Sequence, residues 1–321
     1  MATKLKILVD SYFPYELASR DVEITSIKDY KSRKMLRLVP TFILLYYFGF
    51  RFDILMTARK DGKFLGLLYY VIKPANIKHV LYEFIYDFDK TNLRTYISRL
   101  IWIICIRKID KIFVQSSAEI SYYAKLFRVN KRKFIFIPVG IPFHNNFVGP
   151  SHKGYIFSGG KTNRDYSLFI KALSQTGITS VIVASSKDAR LFQGVPTNFK
   201  IYFDIDQAMY QDLLAQSKVV VVPLRSGVSS RGQIVLLQAM ALGKPVICTD
   251  VPSIRDYLKD GINGFFVPPG DFVALRNKIL SVYEDTQLLN EIGLMAYNTA
   301  KNSFGTKNFQ ANFLSSLENV F

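Results

Sequence analysis

The chain has 321 residues, with 42 Lys and Arg against 25 Asp and Glu, and its formal net charge is +17 at pH 7. It is 49% hydrophobic, enough to bury the cores of two domains of ordinary size. Its two cysteines are too few for a disulfide framework, and no apolar run reaches the roughly 18 residues that cross a bilayer. Because Met1–Val9 shows no secretory signal, the sequence predicts a cytosolic protein.

Five buried strands are predicted in the first part of the chain: Leu5–Val9, Asp53–Thr57, His79–Phe84, Lys111–Gln115 and Phe134–Pro138. Helical patterns lie between them: Ser32–Phe48 (interrupted at Pro40), Leu65–Ile72, Leu93–Ile109 and Ala118–Phe127. Strands that alternate with helices indicate an α/β fold with a parallel, doubly wound sheet.

The segment Ile141–Gly154 is rich in Pro, Asn, Gly and Ser, which is typical of a linker. Six more strands follow it: Gly154–Ser158, Ser180–Ala184, Phe199–Phe203, Val219–Pro223, Pro245–Thr249 and Gly264–Val267. The helices predicted with them are Asp165–Ser174, Asp206–Gln216, Gly232–Leu242, Ser253–Lys259, Phe272–Asp285, Gln287–Lys301 and Thr306–Phe321. The sequence therefore predicts two Rossmann-like domains, residues 1–147 and 148–305.

The positive charge is concentrated in the first domain. Residues 1–148 hold 25 Lys and Arg and 12 Asp and Glu, a net +13, whereas residues 149–321 hold 17 and 13, a net +4. Basic residues between Lys28 and Arg37 run into the aromatic-rich stretch Leu38–Phe50, which suits an anionic membrane surface. The alternative is a solvated basic turn before a core helix. Nucleic acid is not expected as a partner, since no zinc-finger, RNP-type or basic-helix pattern is present.

The segment Ser158–Asp165, SGGKTNRD, follows a strand and opens a helix. Gly159 and Gly160 let the backbone approach a ligand, and Lys161 and Arg164 supply two cations. This pattern favours a phosphate-binding loop; the alternative is a surface Lys with an Arg paired to Asp165. A P-loop is excluded because Tyr155 stands where its first Gly is required, and a dinucleotide fingerprint lacks its third Gly.

A second loop, with Ser229, Ser230, Arg231, Gly232 and Gln233, lies where the next helix should begin. A helix start with little side-chain bulk offers free N–H groups and a positive dipole end to an anion. One of the serines could equally be a plain N-cap.

The run Gln238–Val246, QAMALGKPV, resembles the donor-binding core of GT-B glycosyltransferases, in particular the family-4-like retaining enzymes. The similarity extends over residues 110–285 and is weak over residues 1–75. The family's two glutamates that hold the ribose and the transferred sugar are replaced here by Ser230 and Gln238. Gln can still hydrogen-bond ribose hydroxyls, but it brings no charge.

The resemblance implies two Rossmann-like domains facing a cleft, with residues 306–321 packing back on the first. The second domain would bind a nucleotide diphosphate-sugar of UDP or GDP type. Lys161 and Arg164 would hold the diphosphate, Gly159 and Gly160 would approach it, and Gln238 would meet the ribose.

The first domain would hold a glycan or lipid-linked acceptor, oriented by Glu83 and Asp87. No cofactor and no metal are expected. Asp204 and Asp206 imitate a metal-binding Asp-x-Asp pair, but their place between a strand and a helix indicates an N-cap at Asp206.

Two other classes of protein remain open. Loss of both family glutamates is compatible with a non-catalytic GT-B protein that acts as partner or activator of another transferase. An NAD-dependent Rossmann enzyme would need a glycine fingerprint that the sequence lacks.

Overall fold

The computed structural model describes residues 4–10, 22–31, 40–71, 77–86, 93–143, 147–151 and 154–320. The chain divides into two compact units, Met1–Ile137 with Gln310–Phe321, and Pro138–Phe309. The division falls before the predicted boundary at residue 147, because backbone bonds attach the preceding segment to the second unit. The Ile141 N–H donates to the Phe304 carbonyl at 3.0 Å, and the Val139 N–H donates to the Tyr257 hydroxyl at 3.1 Å.

The first unit is built on a parallel sheet that has six strands in the described residues, in the order β2-β1-β3-β4-β5-β6. They are β1 (Leu5–Val9), β2 (Val22–Ser26), β3 (Ile54–Thr57), β4 (Lys78–Leu81), β5 (Lys111–Val114) and β6 (Phe134–Phe136). The sequence analysis did not predict β2, which is an edge strand without a fully buried residue. The strands that it did predict in this unit are mainly apolar runs, whereas VEITS alternates apolar and polar residues, a weaker signal over five residues.

The helices of this unit are α1 (Ile27–Lys31), α2 (Thr41–Gly49), α3 (Arg59–Val71), α4 (Leu93–Lys108) and α5 (Ser117–Phe127). Pro40 precedes α2 as its N-cap residue, as the predicted interruption at that position requires. The rest of the predicted helix, residues 32–39, lies outside the described residues. α5 begins at an N-cap, because the Ser116 hydroxyl accepts from the Ala118 N–H at 3.2 Å.

The second unit is also built on a parallel sheet, whose described strands run in the order β12-β11-β10-β7-β8-β9. They are β7 (Ile156–Gly159), β8 (Ser180–Ala184), β9 (Phe199–Phe203), β10 (Val219–Val222), β11 (Val246–Thr249) and β12 (Phe265–Val267). The chain proceeds outward from β7 on one side and from β10 on the other. The carboxyl ends of these two neighbours are therefore a topological switch point, where open α/β sheets bind ligands.

Its helices are α6 (Tyr166–Leu173), α7 (Gln207–Ala215), α8 (Gln233–Ala241), α9 (Phe272–Tyr283) and α10 (Thr286–Thr299). The last helix, α11 (Thr306–Glu318), continues into the first unit, where Phe313 packs edge-on against Phe113 at 5.7 Å between ring centroids. The predicted helix Ser253–Lys259 is wrong. Only a 3₁₀ turn forms at Pro252–Ile254, and the Asn263 carboxamide accepts from the Lys259 N–H at 2.6 Å, which turns the chain.

A buried lysine fastens the turn between α8 and β11. Lys244 is fully buried, and its ammonium donates to the carbonyl oxygens of Gly149, Ala215 (2.5 Å) and Ser217 (3.0 Å). Burial lowers the pKa of Lys244 to about 8. Three carbonyl acceptors replace part of the hydration that the ammonium loses on burial. Lys244, which belongs to the run Gln238–Val246, therefore has a structural role.

Candidate functional site

The two loops that the sequence singled out are joined by backbone bonds. The Asp165 N–H donates to the Pro223 carbonyl at 2.9 Å, and the Arg225 N–H donates to the Asn163 carbonyl at 3.3 Å. The Asn163 carboxamide returns a bond to the Arg225 carbonyl at 3.2 Å. The loop after β7 and the loop after β10 therefore form one structure at the switch point.

Gly159 and Gly160 are packed too closely to carry side chains. A Cβ on Gly160 would lie 2.5 Å from Nη2 of Arg164, and the φ of this residue, +126°, is one that residues with a Cβ rarely adopt. A Cβ on Gly159 would lie 2.6 Å from the hydroxyl of Tyr210. The glycines thus bring bare backbone to the strand end, as a phosphate-binding loop requires.

Arg164 is a buried cation beneath this loop. The residue is 9% exposed. Its Nε donates to the Gly159 carbonyl and its Nη1 donates to the Thr162 carbonyl, both at 2.9 Å. Burial lowers its pKa from the usual value, and the nearby charge of Arg231 acts in the same direction. Arg164 and Arg231, two cations of the predicted site, therefore lie near each other. Asp165, which the sequence offered as an alternative partner for Arg164, serves as the N-cap of α6 and accepts from the Leu168 N–H at 3.1 Å.

Lys161 faces solvent and forms an ion pair. Its Nζ lies 2.8 Å from a carboxylate oxygen of Asp204, which follows β9, and the two side chains are 61% and 41% exposed. The hydrogen bond from Lys161 holds the pKa of Asp204 well below its usual range. Asp204 also accepts from the Ser186 N–H at 2.9 Å. The predicted N-cap at Asp206 is confirmed, since its carboxylate accepts from the Met209 N–H at 2.8 Å.

The start of α8 lies at the predicted position. Its N-cap residue is Gly232, with φ +93°, and glycine has no side chain that could cap the first turn. The Gln233 side chain is buried, and its carboxamide donates to the Ser253 carbonyl at 3.2 Å, which ties it to the turn after β11. Ser230 is buried and Ser229 is half-buried. Gln238, half-buried, lies in the second turn of this helix.

Two hydroxyl groups that sequence reasoning missed lie beside Gly159. The Ser158 and Tyr210 hydroxyls are buried, and neither has a hydrogen-bond partner among the described residues. Burial raises the pKa of Tyr210 to about 12, so it is a neutral donor at physiological pH. Ser158 could have been found from its place before the two glycines. Tyr210 could not, because it reaches the loop from α7.

The predicted acceptor residues lie after β4. Glu83 has a left-handed φ of +49°, two residues beyond the strand end, and Asp87 lies outside the described residues. The structure adds Asp10, a buried carboxylate at the end of β1. It accepts from the Tyr82 hydroxyl at 2.6 Å and from the Ala58 N–H at 2.5 Å, and so joins the ends of three strands.

Within the described residues, no group of three or more His, Cys, Asp or Glu side chains is placed to hold a metal ion. In the same part of the chain, no helix combines the length and apolar character needed to cross a membrane.

Comparison with known proteins relates this chain to glycosyltransferases. Residues 157–285 match the sequence model of the family Glycosyl transferases group 1. A stretch of 55 residues is 40% identical to phosphatidyl-myo-inositol mannosyltransferase of Mycobacterium leprae (strain TN), covering 17% of this chain and 15% of that protein. Another of 73 residues is 36% identical to capsular polysaccharide biosynthesis glycosyltransferase CapM of Staphylococcus aureus, covering 23% and 19%. The matched stretches span less than a fifth of either relative's length.

A solved structure covers the whole fold. The crystal structure of Anabaena HepE in complex with UDP-glucose matches with a TM-score of 0.71 at 16% identity, over 98% of this chain and 99% of that chain. The two doubly wound sheets thus define the GT-B fold. Residues 157–285 match the model of the family Glycosyl transferases group 1, which confirms the resemblance seen in Gln238–Val246.

Proposed function

We propose that this protein is a retaining glycosyltransferase that moves a sugar from a nucleotide diphosphate-sugar, of UDP or GDP type, to a glycan or lipid-linked acceptor. The reaction would serve the synthesis of cell-surface polysaccharide or glycolipid. The observation that carries the proposal is the paired loops at the switch point, where Arg164 and Lys161 lie with bare glycine backbone. The family domain and the UDP-glucose in a structural relative agree with it.

The cations have a defined role in this chemistry. When the bond between the sugar C1 and the phosphate oxygen breaks, the nucleoside diphosphate gains negative charge. Arg164, fixed by two carbonyls, and Lys161, released from Asp204, stabilise that charge more in the transition state than in the ground state. The first N–H groups of α8 approach the same anion, and Gln238 contacts the ribose.

The acceptor would react on the face that the leaving group departs from. The acceptor oxygen forms the new bond to C1, and its proton passes to the departing phosphate oxygen, so no protein nucleophile is required. Glu83 and Asp87 orient the acceptor hydroxyl. No cofactor or metal takes part, which predicts an unchanged rate in the presence of a chelator.

The test is a thermal-shift and nucleotide-release screen of the purified protein against UDP- and GDP-sugars. We expect one donor to raise the unfolding temperature and to be hydrolysed slowly, and membrane extract to accelerate release. Lys161→Met should reduce the shift and strongly slow nucleotide release, whereas Lys200→Met, which removes an exposed cation from β9, should retain both. Absence of a shift with every donor would contradict the proposal.

A second candidate, a non-catalytic partner of another transferase, is favoured by one observation: Ser230 and Gln238 replace the acidic pair of the family. In that case a donor would raise the unfolding temperature without turnover, and release would begin only when a second transferase is added.

We also propose that the protein is cytoplasmic and peripheral on the inner face of the cell membrane. The net charge of +13 in residues 1–148 supports an anionic surface as partner. Changing Lys31, Arg33, Lys34 and Arg37 to Ser should weaken sedimentation with anionic vesicles. Unchanged binding would exclude this segment as the contact.

A further inference from the structure

Helix α4 exposes a continuous line of apolar side chains, called here the α4 stripe. Its members are 41% to 74% exposed and recur at helical spacing: Leu93, Tyr96, Ile97, Leu100 and Ile104. The opposite face of α4 supplies Trp102, Cys105 and Ile106 to the core. The helix is therefore held by its inner face, while a second apolar face of the same helix is left 41% to 74% exposed.

The neighbouring helices continue this apolar surface. α3 packs between α2 and α4. The Phe42 and Phe64 rings stack at 5.0 Å, and the Lys63 ammonium donates to the Ser98 hydroxyl at 3.4 Å. The successive connections from β3 to β5 run in one direction across the sheet, so α3 and α4 lie in one layer on one face. This layer also exposes Ile43, Tyr47, Phe50 and Phe64.

The next helix of the layer, α5, shows that the helices of this layer do not all expose apolar side chains. The residues that α5 and its C-cap expose are Ser117, Ser121, Lys125 and Arg128, all polar. Scattered exposed apolar residues need no explanation, but a line of five joined to four more on adjacent helices marks an interaction surface.

The charge around the stripe selects the partner. α4 contains four basic residues and no acidic one, LRTYISRLIWIICIRK, within a region of net charge +13. A second copy of this chain would bring like charges together across a two-fold interface. An anionic lipid surface satisfies both properties, because apolar side chains enter the acyl boundary while Arg and Lys meet the headgroups.

We propose that the α4 stripe, with the exposed apolar residues of α2 and α3, is the face by which this protein lies on an anionic lipid bilayer. The sixteen residues of α4 span about 24 Å along the bilayer plane. This inference deepens the proposed membrane association and rests on it. Vesicle binding is measured without donor or acceptor, so its failure is distinct from failure of the transferase proposal.

The test compares two triple variants in sedimentation with phosphatidylcholine vesicles that contain phosphatidylglycerol. Ile97→Ser, Leu100→Ser and Ile104→Ser remove half-exposed members of the stripe. Leu280→Ser, Leu294→Ser and Met295→Ser remove three similarly exposed apolar residues from α9 and α10 of the second unit. We expect the stripe variant to bind about a hundredfold more weakly and the control to bind as the parent does. Vesicles of pure phosphatidylcholine should bind neither the parent nor either variant.

Equal binding by the stripe variant and the parent would overturn the proposal. It would also be overturned if the parent were a dimer in solution and the stripe variant a monomer, since a second copy would then be the occupant. Replacing Tyr96 with Trp tests the face without removing apolar area. In the Tyr96→Trp variant, brominated lipid should quench the fluorescence by more than it quenches that of the parent, whose buried Trp102 gives the background. In the control variant Leu294→Trp, the added fluorescence should not be quenched.

Discussion

The ammonium of Lys161 lies 2.8 Å from the carboxylate of Asp204, and this contact joins the loop after β7 to the end of β9. Asp204 has a φ of +47°, and its carboxylate is held by the Ser186 N–H as well. Exposed ion pairs contribute little to stability, because water screens them. Lys161 can therefore leave Asp204 for a phosphate group at small cost, as its proposed role at the diphosphate requires.

Lys161→Met should lower kcat/KM for the donor by about a hundredfold, corresponding to about 3 kcal/mol of lost transition-state stabilisation. The free energy of unfolding should change little, because the side chain is exposed. Steady-state nucleotide release and urea unfolding check the two parts. Lys200→Met is the control, and an equal loss in that variant would show that general positive charge is responsible.

Asp204→Asn should lower the donor KM about threefold, because the diphosphate no longer competes with a carboxylate for Lys161. The effect should be uniform from about pH 5 upwards, since the pKa of Asp204 lies well below its usual range and the group is ionised throughout. A KM that rises instead would mean that Asp204 positions Lys161 for the donor.

Gln238→Ala should weaken donor binding about tenfold by removing two hydrogen bonds to the ribose. Ile234→Ala is a matched control on the same helix, because Ile234 is 58% exposed in the first turn of α8. Calorimetric titration with the best donor measures both. Equal affinities for the two variants would place the ribose elsewhere.

Lys244→Met should lower the free energy of unfolding by about 3 kcal/mol, because it leaves three carbonyl oxygens without a donor. The folded pKa of Lys244 is about 8, below its unfolded value of about 10.4, so the unfolded chain binds more protons between these pH values. The advantage of the parent over the variant should therefore grow as pH rises from about 8 to about 10, by up to about 3 kcal/mol.

Urea unfolding of both proteins at several pH values measures that difference, and titrations common to both cancel. A constant difference across the range would show that the buried ammonium keeps an ordinary pKa.

The sequence predicted what depends on local pattern. The alternation of strands and helices, the N-cap at Asp206 and the start of α8 at Gly232 all follow from short-range periodicity and capping chemistry. It did not predict the groups that meet through the fold. The partner of Lys161 is Asp204, which reaches it from another strand end, and Asp10 finds Tyr82 across three strands. The commitment of Gln233 to Ser253 likewise depends on how the turn after β11 folds.

The path of α11 affects how the protein is made. Residues 310–321 complete the first unit, yet the ribosome delivers them only after all of residues 138–309. Until then Phe113 lacks Phe313, and the nascent first unit presents an uncovered apolar site. Domains that form as continuous segments can fold in order of synthesis. Here the second unit can finish first, and the first unit must wait until residues 310–321 have been synthesised.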